Sequence, residues 1–486
     1  MESEIKTSNQ IISSLTWKFL ERIGAQSVQL IVSIVLARLL SPNDYGVIAI
    51  VTVFINIFNV VIDGGFGSAL IQKKEFDNRD FSTVFYFNII VSLILYLLLF
   101  LIAPIIARFY NNDMLVILLR VLGLTLLVSG VKNIQESYVA KKMIFKKFFF
   151  STIIGTVISA IIGIGMAFKG YGVWALVAQQ LTNIIINTIV LWITVKWRPQ
   201  IYFSFIRLKR LFSYGIKIFF AVVIDTIYNN IYDLIIGKKY SASDLAYYNK
   251  GKQFPNLIIV NINNSIQSVM FPVLSKEQDD ISRIKEMIRK TIKMGAFIIF
   301  PIMVGMIAVA NNFIKVLLTE KWLNAVPFLQ ILCISYMFYP IQTANQQVIK
   351  ALGKSSLFLK LEIIRKIFGI IILVVTIPLG LVYMALGQVL VTIFFTLLNG
   401  CVNRRILKYR YKEQILDVLP SFIISIIMGL VVYCIGKLEF TNIILLILQV
   451  LIGVIIYIIL AYAFKLDSFS YLLNVLKGIV NRKISK

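Results

Sequence analysis

The sequence predicts an all-α integral membrane protein of about fourteen transmembrane helices. The first ground is composition: of 486 residues, 59% are hydrophobic and 15% are charged. A soluble fold of this length keeps a largely polar surface and cannot hide that much apolar area. The second is segregation. Residues 81–107, 148–168, 170–195, 253–275, 294–314, 322–349, 367–403, 418–436 and 440–464 contain no Asp, Glu, Lys or Arg. The third is the distribution of basic residues between alternate loops.

A bilayer core takes about 20 apolar residues per helical crossing. Most charge-free runs therefore hold one span, and 367–403 holds most of two, with Pro378 and Gly380 supplying the turn. The expected spans are 14–40, 45–71, 82–107, 114–140, 148–168, 173–195, 214–237, 246–274, 292–314, 324–349, 357–378, 381–402, 418–436 and 441–464. Barrel strands are short and alternate in polarity, unlike these uniformly apolar runs. The start lacks the pattern of a cleaved signal peptide, so the first span is expected to act as the insertion signal.

One set of alternate loops, counted with the two ends of the chain, holds 31 Lys and Arg. It includes Lys6, Lys73, Lys74, Lys141, Lys142, Lys146, Lys147, Arg198 and the basic residues of 276–290, 350–360, 404–412 and the tail. The opposite set holds 7: Arg108, Lys169, Lys238, Lys239, Lys315, Lys321 and Lys437. Basic loops stay in the cytoplasm, so both termini are expected there, which requires an even number of spans. The net charge of +26 is read in the same way, with membrane lipids and not nucleic acid as its partner.

Two segments read as amphipathic helices on an anionic leaflet. In 201–212, Phe203, Phe205, Ile206, Leu208 and Leu211 mix with Arg207, Lys209 and Arg210. In 466–486, Leu472, Leu473, Leu476 and Ile479 stand beside Lys477, Arg482 and Lys483. At an offset of 200 residues, Ser41 and Asp44 of ARLLSPNDYG match Ser241 and Asp244 of GKKYSASDLA. Each stretch joins the first two helices of a six-helix unit, which implies a parallel repeat about an axis along the membrane normal. The expected organisation is an N-lobe at 1–196, an amphipathic linker at 197–213, a C-lobe at 214–403, two appended spans within 404–464 and an amphipathic tail at 465–486.

Polar residues in a bilayer face a bundle interior or a water-filled cavity. In the first span Lys18, Arg22, Gln26, Gln29 and Ser33 share one helix face. In the eighth, Lys252, Asn256, Asn263 and Gln267 form a stripe with Lys250 close by, and the tenth carries Gln342, Asn345 and Gln346. The second offers Asn56, Asn59 and Asp63, and the seventh offers Asp225, Asn229, Tyr232 and Asp233. Such groups either line a hydrophilic cavity or join helices through hydrogen bonds, and Lys18 and Lys250 lie near enough to span ends to snorkel. Lys132 with Glu136, and Glu362 with Lys366, sit four apart and suit local pairing. Because basic groups outnumber acidic ones on the first and eighth spans, a cavity between two lobes would attract an anion. Pro255, Pro272, Pro301 and Pro340 are candidate hinges.

There is no histidine, and the three cysteines, Cys333, Cys401 and Cys434, are far apart. Histidine-based nucleophilic units are thus excluded, and metal or haem sites are not expected. No P-loop is present, and no loop is long enough for a catalytic domain. No catalytic residue, metal site or cofactor is expected.

The stretch Arg38-Leu39-Leu40-Ser41-Pro42-Asn43-Asp44-Tyr45-Gly46 resembles the signature of polysaccharide transporters, the Wzx-type flippases of the multidrug/oligosaccharidyl-lipid/polysaccharide (MOP) exporter superfamily. The likeness continues through Asp63-Gly64-Gly65-Phe66-Gly67-Ser68-Ala69-Leu70-Ile71-Gln72-Lys73-Lys74, Gly172-Val173-Trp174-Ala175-Leu176-Val177 and Phe271-Pro272-Val273-Leu274-Ser275. It implies a fold like that of the MATE transporters, with two six-helix lobes plus two C-terminal helices, and a functional monomer in a bacterial cytoplasmic membrane. It also implies a flippase that carries undecaprenyl-pyrophosphate-linked oligosaccharide to the outer leaflet by alternating access, alongside the polymerase and glycosyltransferases of the same pathway. The expected substrate-binding residues are Arg22, Lys18, Lys250, Lys252, Gln26, Gln29, Asn256 and Lys132. Ion coupling would use Asp63, Asp225 or Asp233. A multidrug antiporter of the same superfamily would favour an acidic cavity, and a membrane polymerase or glycosyltransferase would want a large outer loop or an interfacial carboxylate pair.

Overall fold

A computed structural model of the chain describes residues 2–73 and 77–484. Side chains are described from Thr16 onward, apart from residues 19, 213, 214, 217, 475, 476 and 478–484. Lys74 lies outside the described residues, and the side chains of Lys6, Leu476, Ile479, Arg482 and Lys483 lie outside the described side chains.

The expectation of an all-α membrane fold is borne out. The helices are α1 (Glu2–Leu39), α2 (Pro42–Asp63), α3 (Phe66–Gln72), α4 (Asn78–Tyr110), α5 (Met114–Lys142), α6 (Lys146–Phe168), α7 (Val173–Thr194), α8 (Phe205–Lys239) and α9 (Ala242–Lys276). They continue with α10 (Ile281–Leu318), α11 (Val326–Met337), α12 (Tyr339–Ala351), α13 (Ser355–Thr376), α14 (Leu381–Leu407), α15 (Tyr411–Ile435), α16 (Asn442–Ala463) and α17 (Asp467–Ile484). Thirteen helical segments among the described residues are long and apolar enough to cross a membrane. The 22-residue α13 makes the fourteenth by length; Lys360, Glu362, Arg365 and Lys366 set it apart from the others in composition. Large apolar side chains such as Leu101, Ile105 and Ile193 are exposed, an arrangement that requires lipid in place of water.

Four local features depart from the uniform spans read from hydropathy. The second span is two helices, because Gly64 and Gly65 both take left-handed φ values (53° and 71°) between α2 and α3. The tenth is a 3₁₀ turn (Glu320–Ala325) followed by α11 and α12, which part at Phe338 ahead of Pro340. Residues 205–212 of the amphipathic stretch and the seventh span form one unbroken 35-residue helix, α8. Helix α10 begins at Ile281, so most of the expected 276–290 loop is helical. Pro255 and Pro272 lie inside α9, and Pro301 lies inside α10.

The chain divides into two compact units, Met1–Ala246 and Tyr247–Lys486. In the first, α1 packs on α6, α6 on α7, α4 on α5, and α2 on α5 and α8. One end of this unit is closed by a core of Phe66, Phe81, Phe85, Trp197, Leu208 and Leu211. In the second, α10 is central and packs on α11, α12, α15, α16 and α17.

The capping of α2 and α9 explains why the Ser-x-x-Asp stretches sit where they do. Ser41 Oγ donates to Asp44 Oδ2 at 2.6 Å, and the Ser41 and Asp44 backbone N–H groups are met at 3.0 and 3.2 Å. Ser241 and Asp244 make the same three bonds at 2.7, 3.2 and 3.0 Å. Such reciprocal boxes satisfy N–H groups that a helix start leaves without partners.

Candidate functional site

Within the first unit the helices line an open polar cavity of about 690 Å³. Helix α2 contributes Asn56, Asn59 and Asp63, which sit three to four residues apart on one face. Helix α5 contributes Ser129, Asn133, Glu136 and Ser137 by the same spacing. Ser68 of α3, Phe148 of α6, and Thr226, Asn229 and Asn230 of α8 complete the polar and aromatic lining. The break at Gly64–Gly65 places Asp63 at the α2 C-terminus, and Gly65 lets α8 come close: a Cβ there would lie 2.5 Å from the Gly215 carbonyl oxygen.

The cavity is acidic. Asp63 and Glu136 line it, and the described lining residues include no Lys or Arg. Lys132 Nζ pairs with Glu136 Oε1 at 2.8 Å, as the four-residue spacing suggests. The Asn59 Oδ1 atom is enclosed without a hydrogen-bond donor, while Asn230 donates to the Thr226 carbonyl at 2.8 Å.

Of the residues singled out in the sequence, Asp63, Asn56, Asn59, Glu136 and Asn229 meet at this cavity. Lys132 sits behind it through Glu136. The α1 residues are elsewhere: Lys18 and Gln29 are exposed, Arg22 and Gln26 are half-buried, and the Lys18 ammonium lies 5.2 Å from the Phe145 ring centre. Neither Asp225, which is exposed, nor Asp233, which is half-buried, is among the described residues lining the cavity.

In the second unit Lys250 is 5% exposed. Its ammonium donates to Gln253 Oε1 at 3.1 Å and lies 5.7 Å from the Trp322 ring. Lys252 is half-buried. Asn256 accepts from the Tyr336 hydroxyl at 3.3 Å. Asn345 and Asn403 pair at 2.7 Å, and Gln342 donates to Thr396 Oγ1 at 2.8 Å, so these serve as links between α12 and α14.

Sequence reasoning missed Ser129, Asn133, Ser68, Thr226 and Asn230 as lining residues. The only signal was spacing, since Asn133 precedes Glu136 by three and so shares its helix face.

Beside the Phe66–Trp197 core lies a second, ion-paired pocket of about 620 Å³. Asp80, 1% exposed, pairs with Lys73 and with Arg207 Nη1 at 3.0 Å; Arg207 also reaches Asp77 at 2.9 Å. The Arg79 backbone N–H, helped by Arg207, holds the Asp77 carboxyl below its ordinary range. The Asp80 carboxylate in turn raises the Arg207 guanidinium.

A family model described as polysaccharide biosynthesis protein matches residues 35–327. The chain is 24% identical over 434 residues to the teichuronic acid biosynthesis protein TuaB of Bacillus subtilis (strain 168), covering 88% of this chain and 89% of that protein. It is 23% identical to the lipopolysaccharide biosynthesis protein WzxC of Escherichia coli (strain K12), covering 86% and 88%. Among solved structures, the lipid II flippase MurJ in an inward closed conformation superposes with a TM-score of 0.74 at 19% identity, over 94% of this chain and 99% of that one. An inward-facing MATE transporter of the MOP superfamily superposes at 0.65 and 15% identity, over 79% and 94%. These two likenesses establish a MOP-type fold.

Proposed function

The chain belongs to the polysaccharide biosynthesis protein family, and from that premise we propose that it is a flippase for undecaprenyl-pyrophosphate-linked oligosaccharide. In this reading it carries the headgroup from the inner to the outer leaflet of a bacterial cytoplasmic membrane by alternating access, while the lipid tail stays in the bilayer. The observation that carries the reading is the polar cavity of about 690 Å³ inside helices otherwise built for lipid. Polar and ionisable groups within membrane-spanning helices are costly and mark a substrate path. The roles of TuaB in teichuronic acid biosynthesis, of WzxC in lipopolysaccharide biosynthesis and of MurJ as a lipid II flippase point to the same substrate class.

Two six-helix lobes, 1–196 and 214–403, would rock about the path. Arg22, Lys18, Lys250 and Lys252 would meet the pyrophosphate; Gln26, Gln29, Asn256 and Lys132 would support it. Lys250 and Lys252 would act as point charges. Each negative charge carried outward gains about 2.3 kcal/mol per 100 mV of inside-negative potential. Asp63, Asp225 and Asp233 are the carboxylates available for ion coupling. Both termini would be cytoplasmic, the chain would act as a monomer, and the polymerase and glycosyltransferases of the pathway would be its partners. It would be a transporter and not an enzyme.

The test is surface polysaccharide in a deletion strain complemented at normal expression. Arg22→Ala and Lys252→Ala are expected to lower it at least tenfold. If both restore it fully, the cationic path fails. A second reading, a multidrug antiporter, is favoured by the acidity of the Asp63–Glu136 cavity. Loss of drug resistance on deletion, with surface polysaccharide intact, would select it.

A further inference from the structure

The cavity of the first unit does not suit a pyrophosphate, since Asp63 and Glu136 would repel it and its described lining has no base. We infer that it is a saccharide cup that takes uncharged sugar residues of the transported headgroup and rejects uronic acids. This deepens the flippase reading and rests on it.

The chemistry of the lining makes the choice. An asparagine amide carries donors and an acceptor on one rigid plane, and a carboxylate accepts from two directions. Ring hydroxyls both donate and accept. Asn59, Asn133 and Asn229 approach from three helices, so they can meet hydroxyls around a ring and not along one edge. Asn59 Oδ1, enclosed without a donor, is an acceptor that a hydroxyl would satisfy. Phe148 supplies the apolar surface against which the C–H face of a pyranose packs. The volume lies within the range of small-molecule sites.

Charge then sets selectivity. Lys132 offsets Glu136 at 2.8 Å, and Asp63 keeps the cup negative. A like charge brought into such a site is disfavoured strongly. A lipophilic cation would be welcomed by Asp63 and Glu136 but would leave the ring of amides without partners, which favours the sugar as occupant.

The test uses the full chain in lipid nanodiscs and three probes: neutral N,N′-diacetylchitobiose, digalacturonic acid and tetraphenylphosphonium, each titrated by saturation-transfer NMR. Wild type is expected to bind the neutral disaccharide at least tenfold more tightly than digalacturonate. Asp63→Asn should narrow that ratio to threefold or less by admitting digalacturonate. Phe148→Ala should weaken the neutral disaccharide about tenfold, with a cooperative unfolding transition confirming that it folds. Equal affinity for both disaccharides in wild type, ratios unmoved by both substitutions, or binding of tetraphenylphosphonium alone would overturn the cup. Translocation of lipid-linked saccharide in vesicles is scored separately. Normal translocation with an unmoved ratio sinks only the cup. No translocation with neutral binding intact sinks the flippase reading instead.

Discussion

A methyl group on the Gly46 Cα would sit 1.7 Å from the Ala242 carbonyl oxygen. The first turn of α2 thus lies against the first turn of α9, and both turns carry a Ser-x-x-Asp box. The contact is backbone against backbone, with no flexible side chain to yield.

Gly46→Ala is accordingly expected to cost about 1–3 kcal/mol through overpacking. Gly165→Ala provides the contrast, because a Cβ at Gly165 meets nothing within 4 Å; it should be neutral or gain about 0.5–1 kcal/mol from lower chain entropy. Thermal unfolding of the two variants in detergent checks the pair. Equal unfolding temperatures would contradict the close approach.

Asp417, 3% exposed, is held in the second unit by the Arg289 guanidinium at 2.7 and 2.8 Å and by the Tyr409 hydroxyl at 2.7 Å. Arg289→Ala leaves that carboxylate with Tyr409 and the more distant Lys293. The expected loss is about 1–3 kcal/mol, reduced because Arg289 is itself 37% exposed. The double variant Arg289→Met, Asp417→Leu should recover most of it, since an apolar pair leaves no unpaired charge. A double variant less stable than either single one would contradict this account.

Acidification should act through Asp77. Its carboxyl is held below the ordinary value of 3.8 by the Arg79 N–H and Arg207. A depressed carboxyl contributes stability above its unfolded-state value and loses it as pH falls through the folded one. Wild type should therefore unfold at a higher temperature than Asp77→Asn near neutrality, with the gap closing below about pH 4. The gap should be small, because Asp77 is 47% exposed. A gap that persists at pH 2 would rule out the charge as its source.

Asn399 is fully buried in α14, and neither of its amide atoms has a hydrogen-bond partner. An amide in that position costs about 1–3 kcal/mol, so Asn399→Leu is expected to raise the unfolding temperature. A fall would assign Asn399 a polar contact that the fold itself does not supply. Surface polysaccharide in the same strain would then show whether that contact serves transport.

The spans were legible because lipid leaves the backbone no partner but its own helix, and length and hydropathy follow from that. The breaks were not. Residues 45–71 read as one span, and only the paired φ values of Gly64 and Gly65 divide it. The stretch 201–212 looked separable by composition, but nothing there terminates a helix, and α8 runs on. The cavity was half legible. Asp63, Asn56 and Asn59 could be placed on one face of one helix, but whether such a face meets a void or a neighbour depends on five helices together. Arg22 and Lys18 stand out in the sequence as basic residues on a single helix face, whereas the cavity of the first unit is lined by neutral amides such as Asn133, which a sequence cannot tell from interhelical glue.

The continuity of α8 has a mechanical side. Thirty-five residues span about 50 Å at helical rise, against a hydrocarbon slab of about 30 Å. The helix is therefore a stiff beam overhanging one leaflet. Its overhang begins with exposed Phe205 and Ile206, while Leu208 and Leu211 are clamped in the core. Beyond that clamp, Asn229 and Asn230 ride on the cavity wall. The lipid-facing start of the helix and the two cavity amides thus share one continuous helical axis, with the core clamp between them.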